Sequence, residues 1–344
     1  MLTQITRTTA LLIGLSLVLI CSALVSITLG AASLSLAEVS SILGHKLLPS
    51  WAQVTETSEG ISKAKQAIIW DIRLPRILLA VLVGAGLALV GTCLQAITRN
   101  SMADPYLFGA SAGGSLGAVI VILHVGLFIG PYSLPLAAFI GALCSMLLVV
   151  FIAQQGHGLS QQKLLLTGVA VHFILMSLTN FLIFAGEQKA AGSAMFWMLG
   201  GLGMAQWSHL VFPAVVLGLA LLLMMLRSGR LNAMMAGDET AATLGINVNR
   251  MRMAVLVVSA LVTGVMVAFS GAIGFIGLMV PHLTRMLVGA DNRKVLPVSA
   301  LLGALLLVWA DAGARVLIAP QDLPVGIITA MLGGSFFIYL MARK

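Results

Sequence analysis

Few residues of this 344-residue chain have the type and spacing for bond-making chemistry. Ser111 sits in Gly109-Ala110-Ser111-Ala112-Gly113, which meets the G-x-S-x-G spacing of a serine nucleophile. That spacing activates a serine only at a strand-to-helix turn. Here the run is apolar, and Gly109, Gly113, Gly114 and Gly117 continue as a stripe of small residues. Such a stripe predicts close helix packing. There is no H-E-x-x-H for a zinc hydrolase and no G-x-x-x-x-G-K-[ST] for nucleotide phosphates. The three cysteines, Cys21, Cys93 and Cys144, lie in apolar runs without metal-ligand spacing and read as small packing residues. The chain is therefore expected to be no enzyme, to bind no metal and to carry no cofactor of its own.

What remains is polar recognition. Asp238 and Glu239 open the segment Met234 to Gly245, a short amphipathic helix inside an otherwise apolar sequence. Acids in a first turn favour the positive helix end, and Gly245 can stop the helix. Ala241, Ala242 and Leu244 offer it a small apolar surface. Such a helix is too short to cross a bilayer, so it lies on the membrane or docks into a groove of a cytoplasmic partner. His172, Met176 and Asn180 share one face at i, i+4 and i+8 of an apolar helix. Polar groups at that depth face a protein interior or a cavity. His172 reads first as a buried, hydrogen-bonded histidine and second as a substrate contact. Of the 18 methionines, Met198 is one that would suit an adaptable pathway wall, although packing explains most of them.

The elements that must hold these residues follow from composition. Hydrophobic residues make up 60% and charged residues 9%, with a mean hydropathy of +1.07. Soluble domains carry about 25% charged residues, so lipid must cover most of the surface. Spans of about 20 apolar residues fall near 10–30, 75–97, 106–125, 132–153, 164–185, 208–226, 253–270, 275–290, 296–318 and 324–342. Pro281 is expected to break the eighth, with His282 satisfying the freed backbone. The first run is too long for a signal-peptide core of about 7–15 residues, and a retained helix is the better reading. Ten spans place both termini on one side. With those termini cytoplasmic, the inner segments hold 12 of the 19 basic residues and 4 acids, while the outer segments hold 7 of each. The whole net charge of +8 then lies on the inner face, as the positive-inside rule requires. Charges scattered over short loops argue against nucleic-acid binding. The expected fold is one all-α transmembrane domain over residues 1–344, with a cytoplasmic segment near 227–252.

Several stretches resemble the FecCD family of ABC importer permeases, which includes those for vitamin B12, ferric siderophores and haem. They are Arg73-Leu74-Pro75-Arg76; Gln95 through Ser111, with its Asn100 and Asp104-Pro105; Phe196-Trp197-Met198-Leu199-Gly200-Gly201; Gly237 to Gly245; Gly271 to His282 with Arg285; and Leu323-Pro324-Val325-Gly326 with Leu332-Gly333-Gly334. They occur in family order over about four-fifths of the chain. Ser101 and Ser335 depart from it, standing where the family usually has proline. The resemblance implies a vitamin B12 permease-like fold and a second, identical permease subunit. It also implies two cytoplasmic ATPase subunits carrying ATP and Mg, and an extracytoplasmic substrate-binding protein. Localisation would be the bacterial inner membrane, and an iron chelate, siderophore or haem, would be the first choice of cargo, with cobalamin second. Gly237, Asp238, Glu239, Ala241, Leu244 and Gly245 would meet the ATPase. Arg73, Arg76 and Arg315 would receive acidic residues of the binding protein, since a guanidinium is a permanent, directional donor. The same arginines could instead anchor helix ends, and Asp311 stands four residues before Arg315 as an internal partner. The resemblance also points to the fifth and tenth spans for the pathway. An ion-coupled secondary transporter is the competing class. It would place acids in mid-span, and here the nearest, Asp311, is close to an end.

Overall fold

The computed structural model describes residues 2–47, 62–155 and 161–343. Its helices, in order, are α1 (Leu2–Thr28), α2 (Leu36–Leu47), α3 (Lys63–Ala67), α4 (Leu74–Thr98), α5 (Ala110–Ile120), α6 (Ser133–Gln154), α7 (Gln161–Ala185), α8 (Gln188–Met198), α9 (Val211–Leu226), α10 (Ser228–Ala236), α11 (Asp238–Thr243), α12 (Val248–Ser270), α13 (Ile276–Val288), α14 (Asn292–Val316) and α15 (Val325–Ala342). Eight helical stretches are long and apolar enough to cross a membrane, and Ala110–Val125 and Ile276–Val288 are shorter apolar helices. Together they supply the ten expected spans.

Helix α4 is the axis of the bundle. Apolar on every side, it buries 21 of its 25 residues, as a helix without a polar face must. It is wrapped by α14, α12, α13 and α9. Glycines allow the close approach: a Cβ at Gly84 would fall 2.2 Å from the Gly303 carbonyl oxygen, and one at Gly91 only 1.8 Å from that of Gly277. The glycine stripe of α5 packs on α6 in the same way, with Gly113 against Gly141 and Gly117 against Ala137.

Several expectations change. The second span begins far outside the apolar run, since α3 and a π-helical stretch, Ile68–Arg73, continue directly into α4. The third span starts at Ala110, after a 3-10 turn at Pro105–Phe108. The external connection near 31–74 holds α2 and α3, and residues 48–61 lie outside the described ones. Of the cysteines only Cys93 is buried, while Cys21 and Cys144 are on the exposed apolar surface.

The eighth span is not broken at Pro281. Helix α13 runs through it, because the missing N–H is compensated from outside: the Gln95 amide nitrogen Nε2 donates to the carbonyls of Gly277 and Leu278, 3.2 Å each. Gly277 is the residue whose carbonyl a proline at 281 leaves unpaired. The His282 ring packs edge-on against Phe336. The break lies earlier, at Gly271–Phe275, and non-helical backbone at that depth is tolerated because protein encloses it.

Candidate functional site

The cytoplasmic helix α11 is held at both ends by glycines that adopt positive φ, Gly237 at 125° and Gly245 at 77°. The Gly245 N–H donates to Ala242 O and the Ile246 N–H to Ala241 O, the paired bonds of a Schellman stop. Asp238 turns inward: Arg252 Nη2 approaches its Oδ2 at 3.0 Å, and Arg99 Nη2 approaches Oδ1 at 3.7 Å. The short helix is thereby tied to the start of α12 and the end of α4. Ala241 is fully buried, so it is not part of the outward apolar surface expected for it. The face presented to the cytoplasm consists of Glu239, Ala242, Thr243 and Leu244, the last 67% exposed.

The three outer arginines come together, but they do not face outward. Arg73 donates to the carbonyls of Ile27 (2.6 Å) and Ala32 (2.8 Å) at the end of α1. Arg76 Nε donates to Asp311 Oδ1 at 2.8 Å, and its Nη1 pairs with Asp322. Arg315 Nε donates to Asp311 Oδ2 at 3.0 Å, with further bonds to Leu29 O and Ser26 Oγ. All three are buried, and Asp311 is wholly so. A guanidinium inside a bundle must be neutralised there: Asp311, Asp322 and carbonyls at and just after the end of α1 supply the acceptors, and Asp311 is the internal partner expected for Arg315. The outermost charged group of the cluster is Asp322, with 43% of its side chain exposed. Asp322 and Arg76 edge a cavity of about 650 Å³ beside α8, shared with Ser193, Phe196, Trp197 and Met204.

Three interruptions of helix meet below this cluster. The chain after α8 (Leu199–Gly201), the chain after α12 (Gly271–Gly274) and the start of α15 (Gly326) touch backbone to backbone. A Cβ at Gly200 would lie 2.3 Å from Ala272 O, one at Gly271 2.3 Å from Trp197 O, and one at Gly326 2.1 Å from Leu199 O. Phe275 then adopts a left-handed φ of 68° and opens α13, and Gly333 of α15 leaves room for its ring. Asp104 is buried near this start. Its Oδ1 accepts from the Tyr106 N–H at 2.8 Å, and its Oδ2 has no partner and lies close to Gly277. Burial pushes its carboxyl up to about 6, against the lowering effect of the Tyr106 bond.

Helices α7 and α15 are among the least covered spans. On α7, His172 and Met176 are half-buried, and Ser177 and Asn180 are exposed. His172 Nδ1 is buried without a hydrogen-bond partner, which corrects its reading as a satisfied core histidine. Its ring meets Phe173 edge-on. Ser335 on α15 is also exposed, and Met198 at the end of α8 is half-buried.

Residues 7–343 match the model of the FecCD transport family. The chain belongs to the FecCD transport family. It is 41% identical over 292 residues to the hemin transport system permease HmuU of Yersinia pestis, covering 80% of this chain and 84% of that one. It is 42% identical over 287 residues to the cobalamin import system permease BtuC of Halobacterium salinarum, with 83% and 76% covered. A solved structure described as an inward-facing metal-chelate type ABC transporter superposes with a TM-score of 0.82 at 29% identity, covering 98% of this chain and 100% of that one.

As a FecCD permease, the chain is the membrane-spanning subunit of an ABC importer in the cytoplasmic membrane, and a separate subunit hydrolyses ATP. Among the described residues no group of three or more His, Cys, Asp or Glu could hold a metal ion. Gln95, Arg252 and Asp322 escaped notice as individual residues in the sequence. Gln95 was legible only as part of a motif, and its target is a carbonyl 182 residues away. Arg252 and Asp322 looked like ordinary loop charges, and nothing local marks their partners.

Proposed function

We propose that this permease carries an iron chelate, a haem or ferric siderophore, through a pathway between two identical copies that meet along α7 and α15. The observation carrying the pairing is the set of polar residues, Ser177, Asn180 and Ser335, left exposed in mid-span. Bare lipid is a poor neighbour for such groups, whereas α9, equally uncovered, has only apolar side chains and glycine besides Pro213. A partner copy and a solvated path between the two would satisfy them. His172, Met176, Asn180 and Met198 then line that path.

Each copy would seat one ATPase subunit on Glu239, Ala242 and Leu244. Gly237 and Gly245 fix where α11 starts and stops. Asp238 and buried Ala241 transmit its displacement to α4 and α12. ATP and Mg stay on the ATPase. The binding protein would dock on the outer face, where Asp322 caps Arg76.

The likeness to HmuU favours haem and the likeness to BtuC keeps cobalamin as the second reading. The test is uptake into proteoliposomes containing this chain, its ATPase and its binding protein, offered haem, a ferric siderophore or cobalamin in parallel. ATP-dependent accumulation of an iron chelate alone is the expected result, and accumulation of cobalamin alone would overturn the cargo assignment. An Asn180→Cys variant should cross-link between copies with a short bifunctional thiol reagent. Failure of that cross-link while transport persists would overturn the interface.

A further inference from the structure

Helix α11 is too short to hold its own place. It has six residues, of which only Ala241 is buried, and an isolated helix of that length is unstable in water. It packs on α10 and α12. Helix α10 turns into α11 at Gly237, whose φ of 125° makes the bend. Whatever fixes α10 therefore helps to fix α11.

Two kinds of contact fix α10. Leu231, Ala233 and Met234 are buried. They give cohesion but little register, because the hydrophobic effect is non-directional. Asn232 supplies the direction. Its Nδ2 donates to Asp291 Oδ1 at 2.7 Å, and its Oδ1 accepts from the Asn292 N–H and from Asn292 Nδ2, each at 2.8 Å. Asn292 is 0% exposed. Asp291 Oδ1 also accepts from the Arg293 N–H at 3.0 Å, as the N-cap of α14. A single amide thus spends both its ends on the start of α14, 59 and 60 residues away in sequence. Hydrogen bonds demand angle as well as distance, so these allow one placement of α10 against α14, and a slide of either helix breaks them together.

Helix α14 carries that placement outward. The rise from Asn292 to Asp311 is about 28 Å. Its middle lies backbone to backbone with α4 at Gly84 and Gly303. At its outer end Asp311 holds Arg76 of α4 and its own Arg315. The inner and outer polar clusters are therefore the two ends of one tightly packed helix.

We infer that Asn232 is a positioning residue of coupling: with Asp291 and Asn292 it latches the α10–α11 segment to α14, so that a displacement of α11 by the ATPase moves α14. The inference rests on the reading of α11 as the ATPase seat. It adds a second tie to the one from Asp238, which reaches α12 and α4 and not α14.

The test uses the full complex in proteoliposomes, this chain with its ATPase and binding protein, and reads ATP hydrolysis against binding-protein concentration. Asn232→Ala should lower the maximal stimulation at least about fivefold, while the concentration giving half-stimulation shifts less than about twofold. Docking then survives and transmission does not. Asn292→Ala keeps the backbone N–H bond and should lose less; the double variant should lose no more than Asn232→Ala alone, since both act on one latch. Leu231→Ala is the structural control. It empties a fully buried apolar site on the same helix, should melt lower than Asn232→Ala, and should keep stimulation within about twofold because it leaves the directional bonds in place. If Asn232→Ala fails to fold, Asn292→Ala carries the comparison with Leu231→Ala. Full stimulation in the Asn232 and Asn292 variants, or an equal loss in Leu231→Ala, would overturn the inference. Glu239→Arg separates it from the reading beneath. Loss of stimulation in Glu239→Arg but not in Asn232→Ala overturns the latch alone; loss in neither overturns the seat on α11 and the latch with it.

Discussion

Replacing Asp311 isolates the outer charge cluster. Asp311 is 0% exposed and holds two guanidiniums, Arg76 Nε at 2.8 Å and Arg315 Nε at 3.0 Å. Removing one partner of a buried ion pair costs about 3–5 kcal/mol, because the remaining charge stays desolvated and unpaired. Two cations lose a partner here, but each keeps others: Arg76 keeps Asp322, and Arg315 keeps Leu29 O and Ser26 Oγ. Asp311→Asn, which retains shape and one acceptor, is expected near the low end, about 3 kcal/mol. Asp311→Ala is expected near the high end. At roughly 2–3 °C per kcal/mol for a chain of this size or smaller, Asp311→Asn should melt about 6–9 °C lower. Buried Cys93 gives the assay: in a background with exposed Cys21 and Cys144 changed to serine, a thiol-reactive dye reports unfolding. Affinity for the binding protein, measured well below the melting point, should change less than about threefold. An unchanged melting temperature with docking weakened tenfold or more would refute the argument, since the arginines would then be serving the partner and not the fold.

Three further outcomes follow from other parts of the molecule. Glu239→Arg should abolish coupled transport and stimulation of the ATPase while leaving the melting temperature within about 1–2 °C, because Glu239 is exposed and bonded to nothing that holds the fold; normal ATPase stimulation would contradict it. Gly91→Ala should destabilise by at least about 3 kcal/mol, since its Cβ would meet the Gly277 carbonyl, whereas Gly218→Ala, with open space around it, should be neutral or gain less than about 1 kcal/mol. Glu38 accepts from the Ser35 N–H and hydroxyl and from Lys65, and the Lys65 bond first and the Ser35 bonds next lower its carboxyl to about 2 from 4.5. Because the folded value is depressed, its contribution is complete above pH 4.5 and fades as pH falls through about 2. Hydrogen exchange of α2 should therefore distinguish wild type from Glu38→Gln at pH 6, and less so at each step below pH 4.5; a constant difference down to pH 2.5 would contradict it.

Much of the site was legible as words without their grammar. The motifs at 196–201, 271–282 and 323–326 stand out in the sequence. That they meet at Gly200, Gly271 and Gly326 is not, because each glycine is required by a backbone from another segment. The coupling helix was readable to its ends, since Gly237 and Gly245 act locally. Its inner and outer faces were not: Ala241 is buried and Ala242 exposed by the way α10 and α12 lie against the short helix. Pro281 misled for a related reason. A proline inside a helix pattern signals a break locally, and the amide that makes it harmless comes from Gln95 on another helix.

By itself the sequence determined membrane residence, ten spans, the inward-facing charge and the family. These depend on sums and local order: apolar runs of bilayer length and the distribution of lysine and arginine over loops. Only the tertiary structure decided what the charges do. Arg76 meets Asp311 across 235 residues, and whether an arginine at a helix end greets a partner or neutralises its own core depends on which helix packs beside it.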